Sequence, residues 1–420
     1  MKLILPLHIA LLLIGVRVHA EPSITVEDLG PPMVSRGLAL RCLTHDASGM
    51  VEAWGAFETS ERFALVGVRV DNGRATFVDI NQFGPPPARA RHPQMMASAD
   101  GNLYAFVGVP GHFVKYDVTR RELVDLGAPS PKASYWLGAT VAPDGRFYLG
   151  TTPETELVRC DPATGKVENL GKLSSDNREH YAPHPVASDD GMIYCPVGMH
   201  HGELWAFNPA TGGRKQILPE AMLSKQGRPE LWRGKDGHVY GEWAGEKFRC
   251  TPDAIEIGKT APFWPRFYPK LAGDLSVGDI GEDARLKLTR KGKVSYIATD
   301  YPGATRGIYS VSCERDGRIY GGGVGPANTF AYDPATKKFT DFGLLASGPV
   351  QVYDTLNHKR GLFIASYMNA SVDFFDPGAA VKKGVNPRHV VTLEDQERPA
   401  QEIIGPDGMV YAGTTPSTGR

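Results

Sequence analysis

Asp144-Gly145-Arg146-Phe147-Tyr148-Leu149, then Asp161-Pro162-Ala163-Thr164-Gly165 and Lys166-Val167-Glu168-Asn169-Leu170-Gly171, is the stretch that decides the fold. It reads as a turn, an apolar-aromatic run, a second turn and a closing strand, and the same unit returns about every 45 residues. The first turn recurs as Asp100-Gly101, Asp190-Gly191, Asp236-Gly237, Asp316-Gly317 and Asp407-Gly408. The second recurs as Asp117-Val118-Thr119, Asn208-Pro209-Ala210-Thr211-Gly212 and Asp333-Pro334-Ala335-Thr336. The interval between 236 and 316 conceals one more unit, whose turn has degenerated to Gly281-Glu282-Asp283. A period of this length marks a β-propeller.

The chemistry of each element agrees. Gly, and to a lesser degree Asp, tolerates the positive φ that a tight hairpin between twisted strands requires. The runs between turns, such as Leu103-Tyr104-Ala105-Phe106-Val107 and Met192-Ile193-Tyr194-Cys195, carry the aromatic and β-branched content of buried strands. One such blade cannot bury its own faces, so neighbours must stack around an axis. The units place blades near 36–80, 92–127, 135–171, 181–218, 227–258, 269–298, 307–343 and 348–393, with a partial unit from 397 onward. The expected architecture is one all-β propeller of seven or eight four-stranded blades spanning 21–420. Ile24 to Leu29 copies the closing strands 121–127 and 166–171, so it is expected to latch the ring by pairing with the unit built from Glu402 to Thr415.

Composition sets bounds. A chain of 420 residues supports a large core, and 48 Gly with 33 Pro suits many short turns. Lys and Arg number 46 against 47 Asp and Glu, so no global field recruits nucleic acid. Met1-Lys2, the apolar stretch from Leu3 to Val16 and Val18-His19-Ala20 read as a signal peptide over residues 1–20, which predicts a secreted or periplasmic protein with no membrane span after cleavage, and a monomer. Cys42, Cys160, Cys195, Cys250 and Cys313 show no metal spacing and read as buried small hydrophobes, with one disulfide between adjacent blades left open.

Function has to come from polar clusters. In a propeller the loop leading into a blade's first strand and the loop between its second and third strands open on one face. Of the 12 histidines, His8 and His19 fall in the leader; six of the other ten sit in these loops. His92, His180 and His184 are in lead-in loops, and His112, His200 and His201 in second-to-third loops. Arg91, Tyr135, Trp136, Tyr181, Arg228, Trp243 and Arg306 join the same face. Aromatic planes beside guanidinium and imidazole groups suit an anionic sugar, because rings stack on pyranose faces and Arg grips carboxylate in two-point fashion. The alternative for Trp136, Trp232 and Trp243 is packing between blades, and for each histidine a hydrogen-bonded loop residue.

Arg178-Glu179-His180-Tyr181-Ala182-Pro183-His184, followed one hairpin later by Gly198-Met199-His200-His201-Gly202, resembles the arrangement in propeller polysaccharide lyases, the ulvan lyases and rhamnose-glucuronate lyases. That resemblance implies β-elimination at a uronic acid in an anionic polysaccharide or oligosaccharide. It implies His180 or His200 as base, Tyr135 or Tyr181 as acid, and Arg228 as the partner of the substrate carboxylate, with Arg91, His92, His112, Trp136, His184, His201, Trp243 and Arg306 binding substrate. No cofactor is required by this reading, although three of His180, His184, His200 and His201 suit zinc, and calcium is the other candidate ion. Two other classes compete. One is a metal-dependent propeller enzyme like the lactonases or streptogramin lyases; the other is a non-catalytic propeller that displays its face to a glycan or protein. No nucleotide-binding loop, serine elbow or His-Glu-x-x-His motif is present.

Overall fold

The computed structural model describes residues 26–58, 62–83, 94–108, 110–133, 135–263, 271–393 and 396–415. The leader, Ile24, Thr25, Arg91 and His92 lie outside the described residues, as do the side chains of Tyr135 and Trp136.

Among the described residues the strands form six four-stranded antiparallel sheets, one eight-stranded sheet in which two successive blades are joined by a Val324–Gln351 bridge, and two sheets of two strands, which makes it a β-propeller protein. The blades run 40–79, 94–130, 135–172, 186–216, 230–257, 271–298, 307–344 and 351–392, and a two-stranded sheet follows at 398–415. Blade 3 shows how the repeat writes the structure. The Asp144 carboxylate accepts the Arg146 N–H at 3.0 Å, and Gly145 takes φ 82° between Tyr135–Val141 and Phe147–Thr152. Asp161 then accepts the Ala163 N–H at 3.0 Å and opens the turn into Lys166–Lys172. Phe147–Thr152 is buried throughout, whereas the closing strand is half exposed.

Blades bury their faces against one another. Tyr104, Phe106 and Phe113 of blade 2 meet Phe147, Leu149 and Val158 of blade 3, and similar clusters join blades 1 to 2, 3 to 4, 4 to 5 and 7 to 8. A backbone bond repeats across these seams: Gly101 and Gly237 offer their carbonyls to the His45 and Asp189 N–H groups at 3.3 and 2.9 Å. A Cβ on Gly237 would stand 2.2 Å from an Asp189 carboxylate oxygen, so this glycine serves both the turn and the seam.

Blade 6 packs on blade 1. Leu38 and Ile280 exchange N–H···O bonds at 3.0 and 3.1 Å, Glu282 holds Ser35 and the Arg36 N–H, and Tyr301 sits against Phe57 and Phe77 in one buried cluster. Gly281-Glu282-Asp283 does form a turn. It joins the second strand of blade 6 to the third, where the repeat places a first-to-second turn, because a short arm at Leu271–Ala272 precedes it.

Among the described residues the expected latch is not formed. Residues 26–29 make no strand, and Glu27 pairs with Lys337 of blade 7 at 2.7 Å. Val34–Ser35 pairs with Ala304–Thr305 instead, and Met33 is fully buried close to Gly323 of blade 7. These anchors hold the N-terminal segment at the junction of blades 6 and 7 and leave Arg398–Ile404 and Val410–Thr415 as a two-stranded sheet. All five cysteines are free, and burial pushes the Cys160 thiol up to about 12. No helix among the described residues is long and apolar enough to cross a membrane.

Candidate functional site

The lead-in loop of blade 4, residues 173–185, meets the blade's own hairpin at Gly198–Gly202. The Gly198 N–H donates to the Tyr181 carbonyl at 3.0 Å. Below this bond lies Glu179, 2% exposed, whose carboxylate accepts the N–H groups of His200 (3.1 Å) and His201 (3.0 Å). One buried carboxylate therefore ties the two loops together through charge-assisted bonds.

His201 belongs to that tie. Its Nδ1 lies 3.0 Å from Glu179 and its Nε2 2.9 Å from Glu203, which also accepts from Ser174 (2.8 Å) and the Trp205 indole (2.6 Å). Both ring nitrogens are occupied, so the imidazole acts as a clasp. Asp176 completes the group; Arg178 at 2.7 Å holds its carboxyl well below the usual carboxylate range. Asp176, Glu179 and His201 offer ligand atoms within 4.8 Å of one another, a different set from the four histidines considered for zinc. Their donors and acceptors already satisfy one another, and the set does not match an ion's need for free lone pairs.

His180, Tyr181, His184 and His200 are left with side chains that make no hydrogen bond to another described residue, and His184 and His200 are exposed. His184 is the distinctive one. It holds φ 51°, an uncommon conformation for a residue with a Cβ. Its ring lies over Gly138 of blade 3, where a Cβ would come within 2.0 Å of Nδ1. The imidazole meets water on one side and is crowded by protein on the others. That crowding, followed by the positive charge of Arg228, pulls its pKa below the ordinary value. Arg228 reaches the site because the end of blade 4's second strand abuts the lead-in loop of blade 5: a Cβ on Gly198 would stand 1.9 Å from the Gly227 carbonyl and 2.9 Å from the Arg228 Cβ. Arg228 is exposed and has no carboxylate partner among the described residues.

Other candidates stand apart. His112 is bound to Asp125 at 3.0 Å in blade 2, against Phe83. Trp243 packs over Gly202 and Gly227 and donates to the Met222 carbonyl at 3.0 Å, while Trp232 donates to Ala261 at 2.7 Å, so both serve packing. Arg306 lies at the junction of blades 6 and 7, its backbone bonded to Met33. Tyr135 starts the first strand of blade 3 opposite Thr152. Sequence reading did not single out Glu179 or Glu203. The only trace was an acidic residue inside a basic, histidine-rich loop.

No family model and no curated protein matches the chain. Among solved structures it is similar to a catalytically inactive variant of virginiamycin B lyase from Staphylococcus aureus with quinupristin: 13% identity, covering 70% of this chain and 94% of that one, TM-score 0.40. A streptogramin B lyase structure gives 12%, 92%, 93% and 0.36, and the WD40 repeats of RRP9 give 12%, 80%, 92% and 0.36 in the same order. Likeness at this level concerns the propeller fold and carries nothing about activity.

Proposed function

We propose that the loop cluster of blades 4 and 5 is the active site of an exported lyase that cleaves a uronic-acid-containing polysaccharide by β-elimination. The observation that carries this reading is the pairing of an imidazole held neutral, His184, with an uncommitted guanidinium, Arg228, on one open surface. Elimination needs the substrate carboxylate neutralised so that the adjacent C–H becomes acidic, a base for that proton, and an acid for the departing sugar oxygen. Arg228 takes the carboxylate in a two-point grip. His184, unprotonated at neutral pH, takes the proton from the carbon beside it. The electron pair forms the new C=C bond as the C–O bond to the leaving sugar breaks, and Tyr181 or His200 returns a proton to that oxygen. His184 replaces His180 and His200 as the preferred base because its lowered pKa keeps the lone pair available.

The test is to incubate the protein with a panel of uronic-acid polysaccharides and follow the ultraviolet absorbance of unsaturated products. Absorbance growing on one member, and lost in Arg228→Ala and His184→Ala proteins that remain folded, supports the reading. A flat trace on every member overturns the lyase reading.

A further inference from the structure

A second site lies on the first strands of blades 7 and 8 and of the two-stranded sheet 398–415, far along the chain from the histidine loops. These strands, Gly307–Arg315, Gln351–His358 and Arg398–Ile404, run side by side and are stitched by Ser310 to the Val352 carbonyl (2.9 Å) and by the Glu402 N–H to Asp354 (2.9 Å). They bound a groove of about 720 Å³, within the range of small-molecule sites, lined by Tyr309, Ser312, Tyr353, Asp354, Gln401 and Glu402 among others.

Glu402 is the anomaly. It is 6% exposed, and neither carboxylate oxygen has a hydrogen-bond partner among the described residues. A buried acid in this state is costly. Burial and the nearby charge of Asp354 push it up to about 8. No lysine or arginine lines the groove. Arg398, on the same strand as Glu402, lies over the Tyr367 ring at 5.2 Å. The rings of Tyr309 and Tyr353 sit 4.9 Å apart at 49°, forming two walls of a corner above the acids.

We propose that this groove binds a small molecule carrying a protonated or quaternary amine, with Asp354 supplying negative charge, Glu402 releasing its proton to solvent as the cation takes its place, and Tyr309 and Tyr353 offering the ring faces. An ammonium over tyrosine faces gains cation–π attraction, which strengthens on desolvation. It also gives the orphaned Glu402 oxygens the partner they lack. A metal ion fits less well, since each Asp354 oxygen already accepts a backbone N–H, from Thr355 or from Glu402.

Isothermal titration with choline chloride and glucosamine hydrochloride tests this against their uncharged counterparts, 3,3-dimethylbutan-1-ol and glucose. At least one amine is expected to bind where its neutral counterpart does not. Glu402→Gln, which keeps shape and relieves the buried acid, is expected to weaken that binding by about tenfold or more. Tyr309→Ala, at an exposed ring, is expected to weaken it by about three- to thirtyfold with the fold intact. Equal binding of the neutral counterpart, binding unchanged in both variants, or no binding of either amine overturns the proposal. So does calcium chloride alone producing the binding signal that the amines do not.

Discussion

His184 and Glu402 are opposite cases of one rule: crowding by protein in place of water disfavours the charged form, lowering an imidazole and raising a carboxyl. If His184 is the base, the pH profile of product formation by the parent rises through an apparent pKa below the ordinary imidazole value near 6.5, and in an NMR titration Arg228→Gln moves the His184 pKa upward, since removing a positive neighbour favours imidazolium. A parent profile that does not rise through the titration of His184 assigns the base elsewhere. His200→Ala is expected to lower turnover by about 100-fold if its imidazole donates the proton, and to leave folding unchanged because it is exposed. For Glu402 the folded-state pKa of about 8 exceeds the ordinary 4.5, so across that window the folded protein keeps a proton the unfolded chain has lost. Stability therefore falls as pH rises from 4.5 to 8, and Glu402→Gln should melt higher than the parent near pH 8 and close to it near pH 4.5; melting curves at the two pH values decide. The histidines were legible in the sequence because residue type and loop position suffice to suggest them. Glu179 and Glu402 were not, since their burial depends on segments that meet only in the fold.

At the scale of strands and loops, glycine determines how closely a lead-in loop can approach the preceding blade. A Cβ on Gly150 would lie 1.6 Å from the Ala182 carbonyl oxygen, and one on Gly198 1.9 Å from that of Gly227. Gly150→Ala should thus cost about 1–3 kcal/mol or more through forced backbone shifts. Gly145→Ala meets nothing within 4 Å and bears only the strain of φ 82°, about 1 kcal/mol. Urea titration of the two variants checks the order; equal losses would mean the loops yield freely. The Asp-Gly turns and blade limits were readable because local chemistry fixes a hairpin. The close approaches were not, because Gly150 and Gly198 look like ordinary strand glycines until their neighbours are in place. The latch failed for a related reason: residues 24–29 resemble a closing strand locally, but Met33 and Glu27 find partners on blade 7.

For the whole molecule, the repeat bounded the number of blades at seven or eight while leaving open which distant blades touch. The contact of blade 6 with blade 1 rests on Tyr301, 3% exposed, packed against Phe57 and Phe77, with a hydroxyl that has no partner among the described residues. Tyr301→Ala should cost about 3–5 kcal/mol, whereas Tyr301→Phe should be neutral or stabilising, because it removes an unsatisfied buried group. A large loss with Phe would place an unrecognised bond at that hydroxyl. Elimination on a uronate by the blade 4 and 5 loops, as proposed above, is tested by ultraviolet absorbance of unsaturated product on a polysaccharide that the parent protein cleaves, followed in parallel for the parent and His184→Ala. Absorbance is expected to grow with the parent and to be reduced by about 100-fold or more in the variant at unchanged melting temperature; parent-like product formation by a folded His184→Ala protein rules out His184 as the base.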